Sequence, residues 1–291
     1  VAGALAAGAG YVGTELLADV GVGALTGGVD WAALGDSVPV LLASGLLLGA
    51  TLAYAADWMT AGPRRQFVVW WTLVFLSTVG VVVEGWAFAP DLVPTDSLPW
   101  RIASAALVAG VVAAVLATVF GDETAREPAL PSLPPTRRFL AGLTGGTATY
   151  SVLYFLVGAL NYALVTGPYY EQQVGGLENP PLQVVAGVFL LRGVLLSVSL
   201  LPLVRTVAAP RPRAWLSVLS VGVLTGLLPL LRQVGTLPLV VLAASSYEIV
   251  LQVGPAAIVV AAIVGKGAVP SLRGELRRIW RGTRRESTPA T

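Results

Sequence analysis

Residues 182–206 read LQVVAGVFLLRGVLLSVSLLPLVRT. Apart from Arg205 at its end, the run carries one charge, Arg192, and otherwise offers almost nothing that water would hold. The hydrocarbon core of a bilayer is about 30 Å thick and takes about 20 mostly apolar residues to cross as a helix. The stretch therefore reads as a membrane span. Seven more runs of this kind lie at 2–24, 38–58, 67–88, 101–120, 139–166, 214–231 and 237–265.

Composition agrees. Of 291 residues, 55% are hydrophobic and 12% charged, with a mean hydropathy of +0.78. Soluble domains carry about 25% charged residues. So little charge cannot cover this much apolar surface in water. The expected fold class is all-α: a polytopic transmembrane helix bundle of about eight spans. No basic segment precedes the first apolar run, so no secretory signal is expected.

Arginine and lysine set the orientation, because cytoplasmic loops collect them. Arg64 and Arg65 follow the second span, and Arg126, Arg137 and Arg138 follow the fourth. Arg205, Arg211 and Arg213 follow the sixth, and Lys266 with six arginines follows the eighth. These are alternate loops. Both termini are then expected in the cytoplasm of a prokaryote, with the chain in the plasma membrane. Trp86, Trp100, Tyr169 and Tyr170 fall where an outer aromatic belt belongs.

Loop 121–138, GDETAREPALPSLPPTRR, is polar and proline-rich. It divides a first half of four spans, 1–120, from a second, 139–265, which a basic tail, 266–291, follows. The halves share a pattern. Pro63-Arg64-Arg65 ends one short loop and Pro210-Arg211-Pro212-Arg213 another. Glu84 comes nineteen residues after Arg65, and Arg232 nineteen after Arg213. Two halves of four spans each would be parallel repeats. Unrelated short positive loops would also look alike.

The chain has no histidine and no cysteine. Histidine- or cysteine-ligated metals, haem and His-based catalysis are excluded, and no cofactor is expected. The net charge of +2 comes mostly from the tail and implies no nucleic acid. Within the tail, 271–282 (SLRGELRRIWRG) has the pattern of an interfacial helix drawn to anionic lipid.

Ionisable residues inside spans are the candidates for function, since each costs about 2.5–3.5 kcal/mol at the bilayer centre. Arg192 sits some ten residues into its span, near the midplane at about 1.5 Å per residue. Glu248 lies at a similar depth in the eighth span, with Tyr247 beside it and Gln252 one turn on. An Arg192–Glu248 pair is expected. It serves either a substrate or helix packing. Glu15 and Asp19, one turn apart, form either a cation or proton site or a helix end that reaches water early. Asn161 lies toward the outer end of the fifth span, before GPYYEQQVGG, a segment expected to re-enter or cap the outer face. Gly254-Pro255 is expected to bend or break the last span.

Three functions fit. Transport or permeation of a small solute or ion would use the mid-membrane charges. A scaffold or assembly subunit would bind another membrane protein or a second copy. A membrane-embedded enzyme would have only carboxylates to work with.

Overall fold

Prolines mark where the helices start. Pro63 and Pro99 occupy first-turn positions, while Pro135, Pro181 and Pro238 stand immediately before a first turn. There the missing N–H is no loss and the fixed φ suits helix entry. The apolar runs between them fold as helices in a computed structural model that describes residues 1–26, 31–59, 61–125, 135–207, 211–231 and 233–265. The described residues are 86% helical and contain no strand.

The long helices are α1 (Ala2–Thr26), α2 (Trp31–Ala56), α3 (Pro63–Phe88), α4 (Leu98–Phe120), α5 (Thr136–Asn161), α7 (Leu182–Thr206), α8 (Arg211–Leu231) and α9 (Leu239–Val264). A short α6 (Gly167–Glu171) continues α5 through a π-helical turn, Tyr162–Thr166. Six segments are long and apolar enough to cross a membrane: Gly35–Ala56, Pro63–Phe88, Thr95–Phe120, Thr136–Glu171, Leu182–Thr206 and Leu239–Val264. The chain is therefore a multi-pass membrane protein. α1 is not among the six, and it holds Glu15 and Asp19. α8 contributes a shorter apolar stretch, Val218–Leu231.

Helix α1 packs on α2 and α4, and α3 packs on α4. Among the later helices, α5 packs on α7 and α9, and α8 packs on α9. The two groups join where α3 lies on α7 and α2 lies on α8. One end of the bundle collects Gly3, Phe120, Met59, Val207, Gly142 and Val264. We call this the terminal end. The distal end carries Phe88, Leu177 and Leu237. There the segment after α6 folds back, the Glu178 N–H donates to the Phe88 carbonyl at 2.8 Å, and Leu177 packs with Ala89, Leu237 and Val241. The expected cap over this end is thus present.

Glycines let the backbones touch. A Cβ on Gly8 would lie 2.5 Å from the Gly45 carbonyl oxygen, and one on Gly45 would lie 2.7 Å from that of Gly8. In α7, a Cβ on Gly193 would lie 3.1 Å from the Thr147 carbonyl oxygen. Such small-residue contacts suit membrane helices, where packing rather than the hydrophobic effect drives association. The core they enclose includes Leu48, Leu52, Trp70, Leu73, Leu116, Leu200 and Leu203, all fully buried. Some hydroxyls inside the helices bond to their own backbone, as Thr78 does to Val74 and Ser246 to Leu242. This removes a donor that lipid would leave unpaired.

Three expectations change. Helix α9 runs through Pro255 without a break, because the loss of one N–H leaves the rest of the ladder intact. The irregular helix is α5 instead. Pro168 has no N–H to return to Leu164, and the turn before it widens, with the Gly167 N–H bonding to the Tyr162 carbonyl. Finally, Glu15 is buried within the bundle and not on an exposed helix end. The interfacial helix expected at 271–282 lies outside the described residues, as do Lys266 and Arg232.

Replacing Gly45 with Leu would force α1 and α2 apart. Overpacking costs about 1–3 kcal/mol. Gly45→Leu should therefore lower the midpoint of thermal unfolding in detergent. Gly110→Ala, at a position with open space around it, should leave that midpoint unchanged.

Candidate functional site

Arg192 is 8% exposed, in the interior turn of α7 that faces α3. Two features aim it. Side chains on a helix tilt toward its N-terminus, which for α7 is the distal end. Glu84 lies about one turn from the distal end of α3, a helix that runs the opposite way, so its side chain tilts back toward the midplane. The two converge, and the Arg192 guanidinium forms a salt bridge with the Glu84 carboxylate. Gly80 lies alongside, where a Cβ would sit 3.8 Å from Arg192 Cγ, in ordinary contact.

The expected Arg192–Glu248 pair is therefore not formed. Counting residues gives Arg192 and Glu248 a similar depth. From the level where Ser197 and Val260 both meet Gly146, however, the Glu248 position lies seven residues nearer the distal end. In addition, α7 and α9 run in the same direction. Their side chains tilt the same way and do not converge. Nor does Glu84 turn to Arg101, whose hydrogen bonds include Ser97 Oγ at 3.1 Å and the Leu92 carbonyl at 2.8 Å.

Helix α5 adds an aromatic face. Tyr150 and Tyr154, one turn apart, are buried, and the Arg192 guanidinium lies 5.7 and 5.8 Å from their ring centroids. Contacts of this kind are worth about 2 kcal/mol or more when desolvated. The Tyr154 hydroxyl also donates to Glu84. Glu84 thus receives a cation and a phenol, and the cluster is neutral as a unit.

Glu248 is held differently. Its carboxylate accepts from Asn161 Nδ2 at 2.7 Å and from Gln252 Nε2 at 2.7 Å. Both donors are neutral amides. Gln252 and Asn161 are buried, at 1% and 2% exposure. The π-turn begins immediately after Asn161. Gly158 leaves room for the carboxylate, since a Cβ there would lie 3.2 Å from Glu248 Oε1. Asn161 Oδ1 is buried with no donor. Asn161, Glu248 and Gln252, singled out from the sequence, do come together. Tyr247 does not join them: it is 41% exposed and points outward, about 100° around the helix from Glu248.

Cavities flank the carboxylate. One of about 130 Å³, between Glu84, Tyr154, Gln233 and Glu248, is roofed by Leu177 and Leu237 at the distal end. A second, of about 350 Å³, opens on the outside of the bundle between α5 and α7. Glu248 and Tyr154 line both. Next to Arg192, a chamber of about 30 Å³ reaches Ser77 and Tyr150, room enough for one water. Glu15 belongs elsewhere, with Tyr11 and Arg101 on a cavity of about 300 Å³ walled by α1, α3, α4 and α8. Asp19, one turn on, is not brought to that cavity. Among the described residues, no three acidic groups cluster as metal ligands would.

Sequence reasoning missed Glu84, Tyr150 and Tyr154 as members of the site. The Tyr-x-x-x-Tyr spacing directly after the small-residue run TGGTAT was the available signal for the tyrosines. No known family, curated protein or solved structure matches the chain.

Breaking a buried ion pair from one side costs about 3–5 kcal/mol, whereas replacing both partners by apolar groups is often neutral. Arg192→Leu and Glu84→Leu should each destabilise the protein by that amount, and the double variant should recover most of it. A double-mutant cycle by unfolding in bicelles measures this. Arg192→Leu combined with Glu248→Leu should recover nothing.

Proposed function

We propose that this protein moves a small solute or ion across the membrane, and that Glu248 is the group that takes up the moving proton or cation. The observation that carries the reading is the charge balance of the buried site. Glu84 neutralises Arg192, while Glu248 has only amide partners and stands between two cavities. A carboxylate held in this way is costly inside a membrane. A proton or cation removes the cost, and losing that ligand restores it. Arg192, whose charge is already met by Glu84, is not given an anionic substrate in this reading.

We also propose eight spans arranged as two parallel repeats. The helix partnerships support this. Exchanging α1–α4 for α5, α7, α8 and α9 in order maps α1 on α2 to α5 on α7, α3 on α4 to α8 on α9, and α3 on α7 to α8 on α2. Burial follows the same exchange. In α2, Leu41, Ser44, Leu48 and Leu52 are buried, and so are the residues 148 positions later in α7: Phe189, Arg192, Leu196 and Leu200. The same offset relates Trp70 and Leu73 of α3 to Val218 and Val221 of α8. An offset of 144 relates Val108, Val112 and Leu116 of α4 to Gln252, Ala256 and Val260 of α9. Any two helical stripes can be aligned by some offset. A single offset over two successive helices and their connection is harder to obtain by chance. At that offset Met59 corresponds to Val207, and these two residues pair with each other, as equivalents beside a two-fold axis would.

In this scheme the Glu15 cavity is the counterpart of the Glu248 region. Tyr11 corresponds to Tyr150 and Glu15 to Tyr154, while Ser44 takes the place of Arg192. The alternation of basic loops supports placing the terminal end in the cytoplasm.

The absence of cysteine makes the topology simple to test. A thiol probe that cannot cross the bilayer should label Asp57→Cys, Thr124→Cys and Arg138→Cys from one face, and Asp91→Cys and Glu171→Cys from the other. Any exchange of sides overturns the eight-span count. In proteoliposomes screened for flux of protons, alkali cations and small solutes, Glu248→Gln should reduce the protein-dependent flux at least tenfold. Equal flux in the variant would sink the role given to Glu248.

A further inference from the structure

The cavity of about 350 Å³ has the size of a small-molecule site, and its walls are unusual for a gap facing lipid. Phe88, Tyr154, Phe155, Tyr162, Tyr170 and Phe189 line it, with the Glu248 carboxylate as its only formally charged group. The rings stand against one another. Tyr154 and Phe189 have centroids 4.0 Å apart, Tyr162 and Tyr170 5.9 Å, and Phe88 and Tyr170 6.5 Å. Aromatic faces attract a cation within about 6 Å of the ring centre. Its lining includes the exposed residues Phe155 and Ala159 of α5 and Leu182 of α7, two membrane-crossing helices, with Asn179 of the distal loop beside them. Toward the distal end, the neighbouring cavity is roofed by apolar side chains.

We infer that this cavity binds a hydrophobic organic cation that enters sideways from the bilayer between α5 and α7 and rests its charge against Glu248. The inference depends on the reading of Glu248 as a cation-accepting group and names the class of ligand for it. Other classes fit less well. An anion would meet a carboxylate. A neutral lipid tail would fill the apolar space and leave that carboxylate uncompensated. A bare metal ion seeks several oxygen ligands, and most of this wall is carbon. An amphiphilic cation meets both features at once, since its apolar body lies on the rings and its charge replaces the missing counter-ion. Asn161, which donates to Glu248 from outside the cavity lining, holds the carboxylate in place.

The test measures binding of radiolabelled tetraphenylphosphonium to the full-length protein in nanodiscs, against empty nanodiscs. Tetraphenylborate, of similar shape and opposite charge, serves as the control. The expected result is protein-dependent binding of the phosphonium and none of the borate. Glu248→Gln should weaken phosphonium binding at least tenfold. Ala159→Trp should block it as well, because Ala159 lines the mouth and is exposed, so a large side chain there fills the cavity without disturbing the core. The inference is overturned if the phosphonium does not bind above empty nanodiscs, if the borate binds equally, or if both variants bind as the parent does. Glu248-dependent proton or alkali-cation flux without phosphonium binding would overturn this inference and leave the transport reading standing. Phosphonium binding without flux of any solute would do the reverse.

Discussion

A guanidinium cannot shed its charge, and in a bilayer it has almost nowhere to put it. Much of this protein's interior follows from that constraint. Arg192 near the middle of α7 requires an acceptor. The one within reach is Glu84 on α3, a helix from the other group of four. The ion pair therefore spans the junction between the two groups. It also decides the electrostatics of the region around it. Because Glu84 is committed to Arg192 and Tyr154, the second carboxylate, Glu248, keeps only amide donors. Its charge is left for something else to answer.

The backbone makes this arrangement possible through residues with little side chain. Gly158 lets Glu248 reach α5, and Gly193 lets α7, which carries Arg192, lie close on α5. The π-turn after Asn161 arises from a local defect, a proline without an N–H, at the point where α5 meets the site. π-turns are rare and tend to occur at functional sites. Here the turn sits beside the amide that holds Glu248, on a helix that also supplies both tyrosines. One helix thus forms the aromatic wall, orients the carboxylate and borders the opening toward lipid.

Much of the architecture could be read from the chain. Apolar runs placed most of the long helices to within about five residues, although α2 starts seven residues before its expected span. The polar residues inside them pointed to Arg192, Glu248, Gln252 and Asn161. The pairing could not be read. Depth along the membrane follows from counting residues at a fixed rise, but counting says nothing about which helices are neighbours. Arg192 and Glu248 matched in residue count along their spans, yet they did not pair. Tyr247 was adjacent to Glu248 in sequence and pointed away from it in space. Pro255 looked like a break, yet α9 absorbed it, while the irregular turn arose at Pro168 on another helix.

The sequence by itself determined that this is a helical membrane protein, because solvent preference and helix rise depend on local composition alone. It also determined which charges lie within the apolar core, since that is a matter of position along a helix. Only the tertiary structure decided which charge neutralises which. That choice depends on lateral packing and on the direction in which each helix runs, and therefore on where its side chains tilt. It made Glu84 the partner of Arg192, left Glu248 between two cavities, and surrounded the larger cavity with aromatic rings drawn from four different helices and the π-turn.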